Sequence, residues 1–243
     1  MAPKRTGQKL LRFDRSLGVR FVAGADEAGR GPLAGPLVVA GVLLDYDCLR
    51  DHRVRPLALL NDSKQVGEAM REELYHAVLS CAERVSVHVF PPGVIDRDGL
   101  HRSNLSGLRA ALEACQPADV SLVDGFKLGP LAPPHRAIVD GATKSAAIAA
   151  ASIVAKVTRD RYMHAADALY PAYGFASHVG YITPAHTRVV RERGPCEIHR
   201  RSFRALAYRT ELEFSQETLD KLDELFPAPF PNGSKPGPEA YAW

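Results

Sequence analysis

Long apolar runs are missing from this sequence, and cysteine is scarce. No stretch of apolar residues approaches the roughly 20 needed to span a bilayer, and Met1 to Arg5 lack the apolar character of a secretory signal. The four cysteines lie far apart without metal-finger spacing, so reduced thiols are expected. No internal repeat is visible. These absences argue against a membrane protein, a disulfide scaffold and a repeat array, and they predict a cytoplasmic protein.

The composition allows one sizeable core, and the charge is nearly balanced. The chain has 243 residues, of which 46% are hydrophobic, and its net charge is only +3. Positive charge is nevertheless concentrated in two tracts. Such tracts are often solvated faces, but the second could also neutralise a nucleic-acid backbone. The first contains Lys4, Arg5, Lys9, Arg12, Arg15 and Arg20, and the second contains Arg188, Arg191, Arg193, Arg200, Arg201, Arg204 and Arg209.

Apolar strand-like runs alternate with helical stretches, which favours an α/β fold with a sheet covered by helices. Within the helix predicted over 145–169, small residues recur at three- and four-residue spacing and give a close-packed face, whereas Lys156, Arg159 and Arg161 are expected to lie largely away from it. The predicted strands are 19–26, 36–44, 84–90, 119–124 and 135–139, and the predicted helices are 67–82, 103–115, 145–169, 184–193 and 210–226.

Two adjacent acids, Asp26 and Glu27, are the most informative feature. They follow the apolar run 21–23 and precede Gly29, Arg30 and Gly31. Carboxylates at the edge of a core stay ionised only if they are paired or bound to a cation, and no base is adjacent to them in the sequence. The alternative is a strand followed by a glycine-rich turn with solvated acids. Because consecutive strand residues face opposite sides, both acids are expected to share an ion only where the strand ends.

A third acid, Asp124, ends another short apolar run and is followed by Gly125. By itself this pair also fits an ordinary turn after a strand. If the two strands are neighbours, however, Asp26, Glu27 and Asp124 converge on an oxygen-only site. Such a site suits magnesium or manganese better than zinc.

The motifs at this point resemble those of the type 2 ribonucleases H. The segments 24–32, 61–64 and 123–125 are similar to the family's first three motifs, 150–160 to its long helix, and 173–175, 178–181 and 199–203 to its C-terminal elements. The resemblance covers roughly residues 21–206 in the family's order. It implies a ribonuclease H-like mixed sheet flanked by helices, with a C-terminal helical extension.

One position departs from the family pattern. Ala142 stands where the family has its fourth catalytic aspartate, and Gly141 aligns with the family's glycine without a gap. Either the site lacks one carboxylate, naturally or by substitution, or Asp140 replaces it from two residues upstream. We favour the first interpretation. A second departure is Val179, where the family often has lysine, so one cationic contact to nucleic acid is expected to be missing.

The resemblance implies a function and a set of site residues. The implied activity is metal-assisted hydrolysis, with Mg²⁺ or Mn²⁺, of RNA/DNA hybrids and of duplex DNA containing single ribonucleotides, cut 5′ of the ribonucleotide. This implies a place in ribonucleotide excision repair or DNA replication. Asp26, Glu27 and Asp124 are the implied catalytic metal ligands. The implied substrate-binding residues are Gly29, Arg30, Gly31, Asn61, Ser63, Lys64 and Tyr181.

Three alternatives stay open at this stage. They are an active endoribonuclease, a hybrid-binding protein crippled by Ala142, and the related type 3 enzyme, for whose extra N-terminal domain the residues before Phe21 leave no room. His178, His186 and His199 lack metal-triad spacing and are expected to be satisfied structural histidines. We expect a monomer with a basic arm over 1–20, a catalytic domain over 21–206, a helical segment over 207–226 and a Pro-rich flexible tail over 227–243.

Overall fold

A computed structural model describes residues 6–49, 55–203, 205 and 208, and within them lies one mixed sheet of five strands in the order β3-β2-β1-β4-β5. β1, β2 and β3 are antiparallel neighbours, whereas β4 and β5 run parallel to β1. This architecture confirms the expected α/β class. The strands are β1 (Phe21–Ala28), β2 (Leu37–Asp45), β3 (Arg84–Phe90), β4 (Val120–Asp124) and β5 (Arg136–Ile138).

The described residues also form seven α-helices and three short 3₁₀ turns. The predicted helices over 67–82, 145–169 and 184–193 agree with the structure to within one residue at each end. The predicted C-terminal helix and tail lie outside the described residues. The helices are α1 (Thr6–Arg15), α2 (Glu68–Cys81), α3 (Pro92–Asp98), α4 (Leu100–Ala114), α5 (Ala146–Leu169), α6 (Phe175–His178) and α7 (Pro184–Arg193), and the 3₁₀ turns are Arg55–Leu59, Ser63–Gln65 and Gly141–Thr143.

Helices cover both faces of the sheet, and alternate residues of β1 pack against each side. Val22 and Ala28 join the core formed with α5, whereas Ala23 and Ala25 join the core formed with α4. The alanines of α5 allow a close approach to the sheet. At Gly24 the approach is so close that a Cβ atom would collide with the α5 backbone. The acids in the last half of β1 therefore lie on a part of the sheet that helices cover on both faces.

Helix α1 lies in the segment expected to be a basic arm, where the sequence pattern predicted no helix. Its residues Leu10, Leu11 and Asp14 are buried, and the first two belong to the α5 core. The Asp14 carboxylate accepts hydrogen bonds from the Tyr46 hydroxyl (2.8 Å) and the Ala147 amide (2.9 Å), which fixes α1 to the N-terminus of α5. Among the described helices, none is both long and apolar enough to cross a membrane.

Candidate active site

Asp26 and Asp124 lie side by side in the sheet. β1 and β4 are parallel, and their last paired residues are Ala25 and Val123, so Asp26 and Asp124 occupy the next position along each strand. The preceding α5-facing residue on β4, Leu122, belongs to the α5 core, and Val22 does so on β1. Strand alternation therefore places both carboxylates on the α5 face.

Glu27 lies on the opposite side of β1. Its strand neighbours on that side, Ala23 and Ala25, pack against α4. The predicted end of this strand at residue 26 is wrong, because Glu27 and Ala28 continue the antiparallel pairing with β2. The two acids are thus inside β1, and only its pairing with β4 stops before them. We expected β1 to end at the acids, so that both could share one ion. The pairing of β1 with β4 does end there, but its pairing with β2 continues past both acids.

The three carboxylates nevertheless share one electrostatic environment. Burial raises the pKa of Asp26 well above its ordinary value, and the charges of Glu27 and Asp124 raise it further. Burial also raises the pKa of Glu27, with Asp124 adding to the rise and Arg30 opposing it. The pKa of Asp124 is raised by burial against the opposing hydrogen bond from Gly141. Crowded acids of this kind are stabilised by a bound cation.

The side chains at this site offer the oxygen ligands that a hard divalent cation prefers, but they are not already arranged around one point. Glu27 Oε2 is buried without a hydrogen bond of normal geometry, as are both polar atoms of the buried Asn104 side chain, although Asn104 lies close enough to Glu27 to lower the pKa of that carboxyl. A buried carboxylate oxygen without a hydrogen bond destabilises the fold unless a cation or a hydrogen-bond donor contacts it. In the described part of the chain, however, no three His, Cys, Asp or Glu side chains are arranged as a metal-binding group. Asn104 was not predicted as a site residue, since it belongs to none of the sequence motifs.

Ala142 lies beside the acids, in the turn that precedes α5. The amide of Gly141 donates a 2.6 Å hydrogen bond to Asp124 Oδ1, and the next residue, Ala142, is only 6% exposed. Asp140, the alternative fourth acid, has a left-handed backbone with φ of 52°, and its charge raises the pKa of Asp124. The structure thus brings both positions near Asp124.

The segment 61–64 is tied to α5 and to the acids by different residues. Ser63 is buried, and its hydroxyl lies 2.9 Å from that of Ser152, whose own hydroxyl lowers the pKa of Asp26. The Asn61 side chain lies 3.2 Å from that of Gln65. Lys64 is exposed, and its charge lowers the pKa of Glu27 and of Asp124. The charge of Lys64 therefore acts on the acids, whereas Ser63 joins this segment to α5.

The Gly29–Gly31 loop and Tyr181 are neighbours, although 150 positions separate Gly31 from Tyr181 in the numbering. A Cβ atom on Gly31 would lie 3.9 Å from the Tyr181 ring. Tyr181 is 40% exposed, with Lys156 Nζ 5.7 Å from its ring centroid. Arg30 lies 3.5 Å from Glu27 and its guanidinium is 4.8 Å from the Phe126 ring. An exposed aromatic ring and a loop with two glycines thus form one surface.

Two arginines expected at the surface are buried instead. Arg159, predicted to lie away from the packed face of α5, and Arg200, assigned to a phosphate-binding tract, are both 0% exposed. Their guanidinium groups donate to backbone carbonyls near the Gly29–Gly31 loop. One trace of this burial in the sequence is Gly29, because a Cβ atom at that position would collide with the Arg159 side chain. Of the other residues in that tract, Arg188, Arg191, Arg193 and Arg201 are exposed, and Arg204 and Arg209 lie outside the described residues.

The three histidines form a satisfied structural group, as the sequence pattern favoured: His186 and His199 are hydrogen-bonded to each other, and the His178 ring stacks on His186 with the centroids 4.2 Å apart. His186 Nδ1 lies 2.8 Å from the Tyr181 carbonyl and therefore donates to it, which leaves Nε2 to accept from His199 Nε2 at 3.0 Å. His199 Nδ1 then accepts from the Cys196 amide. Burial lowers the pKa of His199 to about 4, so this ring is neutral near pH 7 and helps to fix the segment that carries Tyr181.

Comparisons with known proteins bear on the family and the fold. A model of the family described as Ribonuclease HII matches residues 23–206. Ribonuclease HII of Nocardia farcinica is 46% identical over 207 residues, covering 84% of this chain and 79% of its own. The solved ribonuclease H2 of Pyrococcus horikoshii has a TM-score of 0.64 at 26% identity, covering 85% of this chain and 98% of its own. A structure of Bst-RNase HIII in complex with Mn²⁺ shares the fold, with a TM-score of 0.54, 19% identity, and 80% and 67% coverage.

Proposed function

Since the chain belongs to the ribonuclease HII family, we propose that it is an endonuclease that hydrolyses the RNA strand of RNA/DNA hybrids and cuts duplex DNA at single ribonucleotides. The cut falls 5′ of the ribonucleotide and leaves a 3′-hydroxyl. The observation that carries the proposal is the pair Asp26 and Asp124, which are aligned on neighbouring parallel strands with pKa values raised by burial. We expect the protein to act as a cytoplasmic monomer in ribonucleotide repair or replication.

Asp26, Glu27 and Asp124 would hold Mg²⁺ or Mn²⁺. Their oxygen-only chemistry suits these ions, and the buried Glu27 Oε2, which has no hydrogen bond of normal geometry, supports a cation in this place. When bound, such ions activate water and stabilise the leaving oxygen of a phosphodiester. The type 3 enzyme is less well supported, because the family model that matches is that of type 2.

The chain's own residues position the substrate. Lys64 and Arg30 are exposed cations near the acids, and both offer charge-assisted hydrogen bonds to phosphate oxygens. Gly29 and Gly31 let the sugar approach the main chain, and Tyr181 provides an exposed ring and hydroxyl beside Gly31. Reading the 2′-hydroxyl at this surface distinguishes a ribonucleotide from the surrounding DNA.

A second candidate function follows from Ala142. A protein that lacks one carboxylate of a two-ion site would still bind ribonucleotide-containing duplex but would cleave it slowly. Ala142 lies next to the Gly141 amide that binds Asp124, so the missing charge would fall within the site.

Incubation with end-labelled duplex DNA containing one ribonucleotide, with and without magnesium, tests both functions. The active enzyme cuts only that duplex, only with the ion, and at the 5′ side. The impaired protein binds the duplex more tightly than an all-DNA duplex of the same sequence but leaves it intact. Equal affinity for both duplexes, together with no cleavage, would refute both functions.

A further inference from the structure

Two guanidinium groups are buried beside the proposed substrate surface without a directly paired carboxylate, although the charges of Asp96 and Asp160 act on Arg200 and Arg159 respectively. Arg159, from α5, and Arg200, which follows the histidine group, are both 0% exposed, and neither forms an ion pair within the described ranges. Burial, with the nearby Arg159 as a second cause, lowers the pKa of Arg200 to about 9. Burying two like charges costs free energy, so packing alone gives no reason for them.

Arg200 holds the loop that contains Gly29 and Arg30. Its guanidinium donates to the carbonyls of Gly29 (2.6 Å), Arg30 (3.2 Å) and Gly35 (2.9 Å). Its own amide donates to the Leu33 carbonyl at 2.9 Å. One side chain therefore satisfies carbonyls at both ends of the loop, and it draws those at Gly29 and Arg30 toward the interior.

Arg159 joins the same loop to the segment that carries Tyr181. Its guanidinium donates to the carbonyls of Ala34 (3.0 Å), Pro36 (3.0 Å) and Val179 (2.9 Å), and it lies 5.8 Å from the Tyr181 ring centroid. Val179 is a β-branched residue with φ of 42°, a strained conformation that needs such support.

Direct contacts between the two segments complete the arrangement. The amides of Leu33 and Ala34 both donate to the Gly180 carbonyl, at 2.8 and 3.3 Å. Gly180 has a positive φ, and a Cβ atom there would collide with the Ala34 carbonyl. The loop and the tyrosine segment are thus one hydrogen-bonded unit, with the two guanidinium groups inside it.

We propose that Arg159 and Arg200 are positioning residues that set the Gly29–Gly31 loop and Tyr181 in the relative placement required to read a ribose 2′-hydroxyl. The inference rests on the proposed function. It assigns to these arginines the preference for ribonucleotide over deoxyribonucleotide, and not the affinity for duplex in general. Six carbonyls in fixed directions need two planar, multidentate donors, which lysine cannot replace.

The test compares affinities for two duplexes of identical sequence, one all-DNA and one with a single ribonucleotide, in Ca²⁺ so that binding is read without turnover. Arg159→Lys and Arg200→Lys keep the charge but not the planar fork. Each should lower the ratio of the two affinities on the order of tenfold, because small displacements of recognition groups are costly. The matched control is Arg161→Lys, an exposed arginine of α5 paired with Glu72. It should leave the ratio unchanged.

Two further measurements apply if a lysine variant does not fold. Guanidinium ion added to Arg200→Ala should restore the ratio, because it returns a planar, multidentate donor to the same carbonyls. In the unmodified free protein, hydrogen exchange should show the amides of Leu33 and Ala34 as protected as those of β1. Rapid exchange of these amides, or lysine variants that fold and keep the parental ratio, would overturn the proposal. A parent protein with no preference between the duplexes would instead refute the proposed function itself.

Discussion

Ala142, which stands where the resemblance implies a fourth carboxylate, is the first residue at which to test the proposed activity. We expect Ala142→Asp to cleave a single-ribonucleotide duplex orders of magnitude faster than the parent in magnesium. The new carboxylate would stand beside Gly141, whose amide binds Asp124, and would add a full negative charge for the ions. Initial rates of the two proteins at equal substrate concentration measure the effect.

Ala142→Asn is the matched control, because it has nearly the shape of aspartate without the charge. It should stay as slow as the parent. Similar rates for the parent and Ala142→Asp would mean that another acid already supplies the fourth carboxylate. Asp140 is then the first residue to test, since its charge already acts on Asp124.

Tyr181 provides a second test at the level of one residue. Tyr181→Ala should weaken binding to the ribonucleotide-containing duplex more than to all-DNA duplex, because phosphate contacts elsewhere persist. The hydrogen bonds of Tyr181 to His178 and His186 use its backbone, so the fold should tolerate the change. Tyr181→Phe separates the hydroxyl from the ring. An equal decrease in affinity for the two duplexes would argue against a reading role.

Single residues also show where prediction from sequence stops. The adjacency of Asp26 and Asp124 could be predicted from two apolar runs that end in acids. The burial of Arg159 could not, because helical periodicity locates a side chain relative to its own helix and ignores a loop that folds over it. Only Gly29 and Gly35, which leave room for Arg159 and Met163, carried any trace of that packing.

Elements were predictable where their apolar pattern is long. The five strands were each predicted to within two residues at either end, and α5 to within one. Helix α1 was missed because its apolar residues are only Leu10, Leu11 and the half-buried Phe13 among basic residues, and its third large fully buried residue is the charged Asp14. The C-terminal boundary of β1 was missed because β1 pairs with β2 for three residues beyond its last pair with β4. The local sequence pattern does not reveal this difference.

The attachment of α1 predicts a pH dependence of stability. Burial raises the pKa of Asp14 from 3.8 to about 6, so the folded state holds this proton more tightly than the unfolded state. The resulting stability is fully present below pH 3.8 and is lost as the pH rises through about 6. Its size is up to about 3 kcal/mol, from about 1.4 kcal/mol per pKa unit.

Urea unfolding of the parent and of Asp14→Asn between about pH 4 and about pH 8 measures this contribution. The free energy of unfolding of the parent, relative to the variant, should fall across this range and level off above about pH 7. Glu113→Gln, which replaces an exposed acid of α4, should follow the parent at every pH. A constant difference between the parent and Asp14→Asn would show that Asp14 ionises in the folded state with an ordinary pKa.

At the scale of the whole molecule, the small net charge conceals an uneven distribution. The described acids of the site lie at one end of the sheet, where Ala28 of β1 pairs with Val38 of β2. Helix α7 begins three residues after Tyr181 and carries the exposed Arg188 and Arg193. We therefore expect a duplex bound at the acids to extend onto α7, where its phosphates would meet positive charge.

The salt dependence of binding tests this extension. A plot of log K for duplex binding against log salt concentration has a negative slope. The double variant Arg188→Gln with Arg193→Gln should make this slope shallower by about 0.9 for each phosphate that the protein no longer neutralises. The preference for the ribonucleotide-containing duplex should not change, because phosphate contacts carry no information about the sugar. Arg84→Gln is the control, since this exposed arginine lies at the opposite end of the sheet, where it donates to the carbonyls of Ala114 and Gln116. An unchanged slope in the double variant, or an equal change in Arg84→Gln, would place the duplex elsewhere on the molecule.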